Sequence, residues 1–228
     1  MEKELFHRWD ISPAEAIQIQ NRLGRKLVIQ RNFTKIESVA GADAAFRGKM
    51  AYGAVAVLSY PELETVAEVR SCREISFPYI PGLLSFREGP VLLDCFTQLD
   101  AGYELIIFDG HGIAHPRGFG LASHLGLLLE KPTVGCAKKK LFGSTEEPGP
   151  NRGCWEPIFD NHGNSIGITL RTKDNVRPVF VSPGYKTSLE QSKELVLSLT
   201  AGFRIPEPLR RAHHLALLAA GAANSSGD

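Results

Sequence analysis

Apolar positions at Ile19, Leu23 and Leu27 fall four residues apart and form one ridge of a helix. Ser12-Pro13-Ala14-Glu15 opens that helix with a capping Ser, a first-turn Pro and a Glu at the third helical position. The periodicity then shortens to extended runs over 38–46, 51–60 and 65–75. They are joined only by Arg47-Gly48-Lys49 and Pro61-Glu62-Leu63-Glu64, and such short links predict antiparallel neighbours. Ser85-Phe86-Arg87-Glu88 reads as a capping box opening a second helix, with Leu92, Phe96 and Leu99 on one face. Leu105-Ile106-Ile107-Phe108, ending in Asp109-Gly110, reads as a buried strand. A helix over 121–130 and a second buried strand, Thr133-Val134-Gly135-Cys136, follow. Strand–helix–strand alternation predicts parallel neighbours. After a turn-rich stretch over 143–153 come strands at 155–159, 165–171 and 179–181, with Asn161-His162-Gly163-Asn164 as a hairpin loop. Two helices over 188–197 and 209–219 end the pattern, and the small polar tail 220–228 is expected to fray. The expectation is an α/β protein of one domain, 1–228, with an antiparallel three-strand meander followed by parallel α/β strands and flanking helices.

The 228 residues are 43% hydrophobic and 22% charged, which excludes a disordered or collagen-like chain. Lys plus Arg number 26 against 25 Asp plus Glu. That balance argues against a protein coated in positive charge but leaves room for a local basic stripe that binds phosphates. No apolar run approaches the ~18 residues a membrane span needs. Met1-Glu2-Lys3-Glu4-Leu5 lacks the apolar region of a signal peptide. Cys72, Cys95, Cys136 and Cys154 form no C-x-x-C pair, so reduced thiols and a cytoplasmic location are expected.

Three carboxylates stand where packing alone does not want them. Asp43 interrupts the apolar run Val39-Ala40-Gly41-Ala42-Asp43-Ala44-Ala45-Phe46, where a buried carboxylate is costly unless paired or holding a cation. An edge strand with Asp43 in water is the competing reading. Asp109 ends a buried strand, where open α/β sheets place ligands, although Asp before Gly is also a common turn. Glu88 is accounted for by the capping box alone. Together the three point to a hard cation with oxygen ligands, Mg²⁺ or Mn²⁺. Pro78-Tyr79-Ile80-Pro81-Gly82 is a stiff loop, read as a surface turn with Tyr79 on the core or as a wedge that parts stacked bases. The stretch 109–120 holds four glycines, two histidines and an arginine, suited to close backbone approach to a phosphate-bearing ligand. It matches neither phosphate-loop nor dinucleotide patterns. One of Lys138, Lys139 and Lys140 is expected to reach a phosphate near the carboxylates, and one of His213 and His214 to point inward.

Two long strings carry a family resemblance. Pro78-Tyr79-Ile80-Pro81-Gly82-Leu83-Leu84-Ser85-Phe86-Arg87-Glu88-Gly89-Pro90 resembles one signature of endonuclease V, the deoxyinosine 3′ endonucleases. Asp109-Gly110-His111-Gly112, His115-Pro116-Arg117 and Gly120-Leu121-Ala122-Ser123-His124-Leu125-Gly126 resemble another. Val39 to Asp43, Gly135 to Lys138, Glu147-Pro148-Gly149, Val181 to Gly184 and Pro206-Glu207-Pro208 extend the likeness over nearly the whole chain. The resemblance implies a ribonuclease-H-like fold. It also implies Mg²⁺-dependent hydrolysis of the second phosphodiester 3′ to a deaminated adenine, leaving 3′-hydroxyl and 5′-phosphate ends. By position, Asp43, Glu88 and Asp109 resemble the metal-binding carboxylates, and Tyr79 the wedge. Gly82, Leu84, Gly110 and His115 resemble the walls of the hypoxanthine pocket, Lys138 the active-site lysine and His213 the histidine near the metal. Backbone amides of the Gly-rich loop are expected to donate to O6 of that base. The implied partner is inosine-containing DNA, with RNA as the alternative, and neither a membrane nor an obligate protein partner is expected. Lys139, Tyr185 and Leu209 depart from the family pattern, where a small polar residue, His and Thr are usual. A damage-binding module without catalysis is the competing class, disfavoured by the intact carboxylates.

Overall fold

The computed structural model describes residues 7–30 and 35–222. The readings of Met1 to Leu5 and of the tail beyond 222 lie outside the described residues. Helix α1 spans Pro13–Gly24, and its capping box forms as the sequence predicts: the Glu15 N–H donates to Ser12 Oγ while the Ser12 N–H donates to the Glu15 carboxylate. Strands β1 (Ser38–Arg47), β2 (Met50–Ser59) and β3 (Thr65–Glu74) form the antiparallel meander. Helix α2 (Leu84–Gln98) leads to β4 (Leu105–Phe108), α3 (Leu121–Leu129) and β5 (Thr133–Ala137). Strands β6 (Trp155–Phe159), β7 (Ser165–Leu170) and β8 (Val179–Tyr185) precede α4 (Leu189–Ser198) and α5 (Glu207–Ala222). The small residues from 220 to 222, expected to fray, instead complete α5.

All eight strands join one sheet in the order β3-β2-β1-β4-β5-β8-β7-β6. β1, β4 and β5 run parallel, as strand–helix–strand connections require, and the other pairings are antiparallel. β1 therefore lies between β2 and β4, and the reading of Asp43 on a water-facing edge is wrong. The sheet separates two apolar layers. One is built on Leu23, Leu92, Phe96, Leu121 and Leu125 of α1, α2 and α3. The other is built on Leu195 and Val196 of α4, Leu199 at its C-cap and Leu209 of α5. Helix α5 approaches β1 closely because residue 41 is glycine: a Cβ there would stand 2.2 Å from the Pro208 carbonyl. That approach lays α5 along β1 and brings a helix face to the stretch of strand that carries Asp43. All four cysteines are free thiols. Among the described residues no helix is long and apolar enough to cross a membrane.

Candidate active site

Parallel pairing puts two of the carboxylates side by side. Ala42 of β1 stands opposite Phe108 of β4, and the Asp109 N–H donates to the Ala42 carbonyl at 3.3 Å. Asp43 and Asp109 thus leave adjacent strands at the same level. Glu88 comes to them from the second turn of α2. Its capping role does not exist: α2 begins after Leu83 with no side-chain cap, and Ser85 lies inside the first turn. Ser85 Oγ instead lies 3.0 Å from Nδ1 of the buried His124. The Glu88 carboxyl is freed for the cluster, where it is buried and Oε2 has no hydrogen-bond partner.

The electrostatics of this nest follow from burial. Desolvation, and next the charge of Asp109, push Asp43 up to about 6. Desolvation, then Asp43 and Asp109, hold Glu88 well above the ordinary carboxylate value. Two nitrogen-bearing side chains lean in. Nδ1 of His213, on α5, lies 2.6 Å from Asp43 Oδ2 and donates to it, while His214 faces solvent. Lys138, just past β5, pairs with Asp109 Oδ2. Burial alone would lower the Lys138 ammonium, but Asp109 overrides it and holds it above its ordinary value. Lys139 and Lys140 are exposed. Among the described residues no three His, Cys, Asp or Glu side chains close into a finished metal cage. The donor set nevertheless fits a hard divalent cation. It offers carboxylate oxygens, one of them buried without a partner, in a nest where burial first and mutual repulsion second raise two pKa values.

Beside the nest lies a cavity of about 420 Å³. Gly82, Leu84, Gly110 and His115, which the resemblance assigned to a base pocket, all line it, together with Tyr79, the expected wedge. A second hollow of about 450 Å³ holds Asp43, Glu88, Asp109 and His213, and the two share Tyr79, Leu84 and Asp109. Tyr79 does not pack on the core; it is 68% exposed at the mouth of both. The departing residues leave the carboxylates untouched: Tyr185 and Leu209 are buried in separate apolar layers, and Lys139 lines the cavity.

The glycines of the loop work differently from expectation. The N–H groups of Gly110, Gly112, Gly118 and Gly120 are all engaged within the protein, so they are not the donors for a purine O6. The close approach that the loop permits is backbone to backbone: a Cβ on Gly112 would stand 1.8 Å from the Pro183 carbonyl oxygen. The uncapped start of α2, at Leu84 and Ser85 in the cavity wall, offers N–H donors in their place.

Gln20 escaped sequence reasoning, and Arg117, read as suited to a phosphate, is turned to partners within the protein. Gln20 is buried and donates from Nε2 to the carbonyls of Gly82 and Phe119, each at 3.0 Å. Arg117 donates from Nε to Gln20 Oε1 at 2.6 Å and from Nη2 to the Gly82 carbonyl at 2.8 Å. His115 Nε2 adds a third donor to that carbonyl at 2.8 Å, and burial pushes its pKa down to about 4, so the ring is neutral. Gly82, at φ +80°, is thereby clamped, and with it the Tyr79 loop. The available signal was positional: Gln20 sits between Ala16 and Leu23 on the buried stripe of α1, where an apolar residue belongs.

A family model for endonuclease V matches residues 21–214. An endonuclease V of Methanothrix thermoacetophila is 46% identical over 217 residues, covering 95% of this chain and 96% of that protein. The crystal structure of an endonuclease V from Streptomyces avermitilis superposes with a TM-score of 0.89 at 39% identity, covering 95% of this chain and 96% of that one. A Ciona intestinalis endonuclease V, in complex with a 24-mer DNA containing an inosine followed by a ribo-adenosine, gives 0.82 at 26% identity, covering 92% and 98%. These likenesses bear out the ribonuclease-H-like fold.

Proposed function

The chain belongs to the endonuclease V family, and from that premise we propose that it hydrolyses the second phosphodiester 3′ to a deoxyinosine in DNA, leaving 3′-hydroxyl and 5′-phosphate ends. One observation carries this reading: a base-sized cavity and a carboxylate nest share a wall made of Tyr79, Leu84 and Asp109. A base lodged in the first places its own strand's backbone across the second.

The roles follow from the geometry. Tyr79 stands exposed on a loop clamped through Gly82, a rigid aromatic able to fill the gap left by an extruded base. The weak pairing of a deaminated base makes extrusion easier. Inside the cavity, the α2 N–H groups suit an O6 acceptor. Adenine presents an amino group there and leaves a buried donor unpaired, at roughly 1–3 kcal/mol. Lys138 exchanges Asp109 for the scissile phosphate and offsets its charge. His213 holds Asp43 oriented from Oδ2, while the Ala44 N–H holds Oδ1 at 2.8 Å. Asp43, Glu88 and Asp109 are the groups that would hold Mg²⁺, or Mn²⁺ in its place, which when bound supplies a water of lowered pKa and positive charge against the phosphate.

The test is a nicking assay on a duplex with one inosine, with and without chelator, and with the cut position mapped. Cleavage in Mg²⁺ at the second bond 3′ to inosine, absent on an adenine control, is the expected result. Binding without cleavage would replace this reading with that of a damage-binding module. Faster cutting of an RNA strand with one inosine would make it an endoribonuclease.

A further inference from the structure

Arg210 lies one helical turn before His213, on the same side of α5. Its guanidinium sits 3.6 Å from the ring centroid of Phe203, in the connection between α4 and α5. Phe203 is 47% exposed and belongs to none of the apolar clusters of the core. Arg210 is steadied from beneath by Glu207 Oε2 at 2.5 Å, and Glu207 also takes Arg211 Nε at 3.3 Å. The next residue ties the connection to the site: Arg204 Nη2 donates to the Lys138 carbonyl at 3.0 Å and to the Pro178 carbonyl at 2.8 Å. Arg177 is close enough to Arg204 to lower its pKa, behind burial as the main cause. Arg210 thus covers the ring, Arg204 next to it in sequence ties the connection to Lys138, and Arg211 follows Arg210 on α5, with Glu207 opposing both α5 cations.

We propose that Phe203, backed by Arg210, is a base-stacking subsite for the single strand on the 3′ side of the cut, a proposal that rests on the endonuclease reading above. The path of the strand gives the side. The base cavity opens on the α1, α2 and α3 layer, the carboxylates and Lys138 cap the strand ends, and Phe203 lies with α4 and α5. A strand cut 3′ to its lodged base crosses the carboxylates first and reaches Phe203 afterwards. Every base has a π face, so the stack tolerates any sequence there, and the cations hold the flanking phosphates.

The experiment compares wild type, Phe203→Ala and Arg210→Gln on single-inosine strands that extend well beyond the cut or stop at the nucleotide after it. Wild type is expected to show a KM about tenfold lower on the extended strand, the size of one aromatic–base stack. Phe203→Ala erases that advantage and Arg210→Gln reduces it. The proposal is overturned if wild type handles both strands alike, if Phe203→Ala keeps the advantage, or if the advantage follows shortening on the 5′ side instead. A binding arm stands apart from nicking. Phe203→Ala is expected to lose about tenfold in affinity for an undamaged single strand. That loss supports the subsite even if no inosine strand is cut, and unchanged affinity overturns it even if every inosine strand is cut.

Discussion

Replacing Asp43 by Asn removes a charge that the fold resists and the proposed chemistry needs. Burial and Asp109 hold Asp43 at about 6 against an ordinary 3.8. That is roughly two pH units at 1.36 kcal/mol each, or about 3 kcal/mol at most. Because the folded-state value is raised, the proton stabilises the native protein: the contribution is complete below about pH 4 and is lost as pH rises through about 6. Near neutral pH the metal-free wild type therefore carries the ionised carboxylate at a cost, and Asp43→Asn removes it. The charge of Asp43 also helps to raise Glu88, so the substitution eases Glu88 in the same direction. For a chain of this size each kcal/mol moves Tm by roughly 2–4 °C. Asp43→Asn is thus expected to melt above wild type in chelator at neutral pH, by up to about 6–12 °C, with the gap closing toward about pH 4. Comparing variant with wild type cancels the acid response of the carboxylates outside the nest. Saturating Mg²⁺ should reverse the order, since wild type gains from binding and the variant does not. A variant that melts below wild type in chelator, or a gap that ignores pH, refutes the view of Asp43 as an uncompensated member of an acidic nest.

Three further outcomes are expected. Asp109→Asn should lose the Mg²⁺-dependent rise in Tm, which for wild type at a hundred times Kd corresponds to about 2.7 kcal/mol; a full rise in the variant removes Asp109 from the cation site. Tyr79→Ala, at an exposed position, should change stability by no more than about 0.5 kcal/mol while slowing the nicking of an inosine duplex far more than that of an inosine single strand. Equal slowing on both counts against the wedge. Gly112→Ala places a Cβ 1.8 Å from the Pro183 carbonyl oxygen, and thermal unfolding should report a loss of about 3 kcal/mol or more.

The order of strands and helices was legible because each element announces itself over a short span. The Ser12 capping box, the two tight links of the meander and the continuous run from Leu105 to Phe108 are local signals, and each formed where its pattern placed it. The edge reading of Asp43 failed for a non-local reason. Whether β1 is central depends on β4 joining it from more than fifty residues away, and no periodicity within 38–46 carries that fact. Ser85 and Glu88 failed in the opposite sense. Their spacing satisfies a capping box, but tertiary partners outbid the local one: His124 takes the serine hydroxyl and the nest takes the carboxyl.

The same contrast separates the parts of the site that could be read from those that could not. Carboxylates in apolar surroundings are visible in sequence because their cost is intrinsic to the residue type. A brace is visible only once its partners are known. Gln20 gains its meaning from three groups distant in sequence: the Gly82 and Phe119 carbonyls and the Arg117 guanidinium. The glycine-rich loop shows how composition misleads in the absence of those partners. Four glycines suggest amides free for a ligand, yet here they let chains pass within touching distance of each other and use their N–H groups in doing so. The loop therefore shapes the cavity, and in the proposed function recognition of the base passes to the open end of α2. That division explains why Gly82 needs three donors on its carbonyl. It is the joint between the exposed Tyr79 loop and the helix that reads the base, and any slack there would loosen the wedge and the reader together.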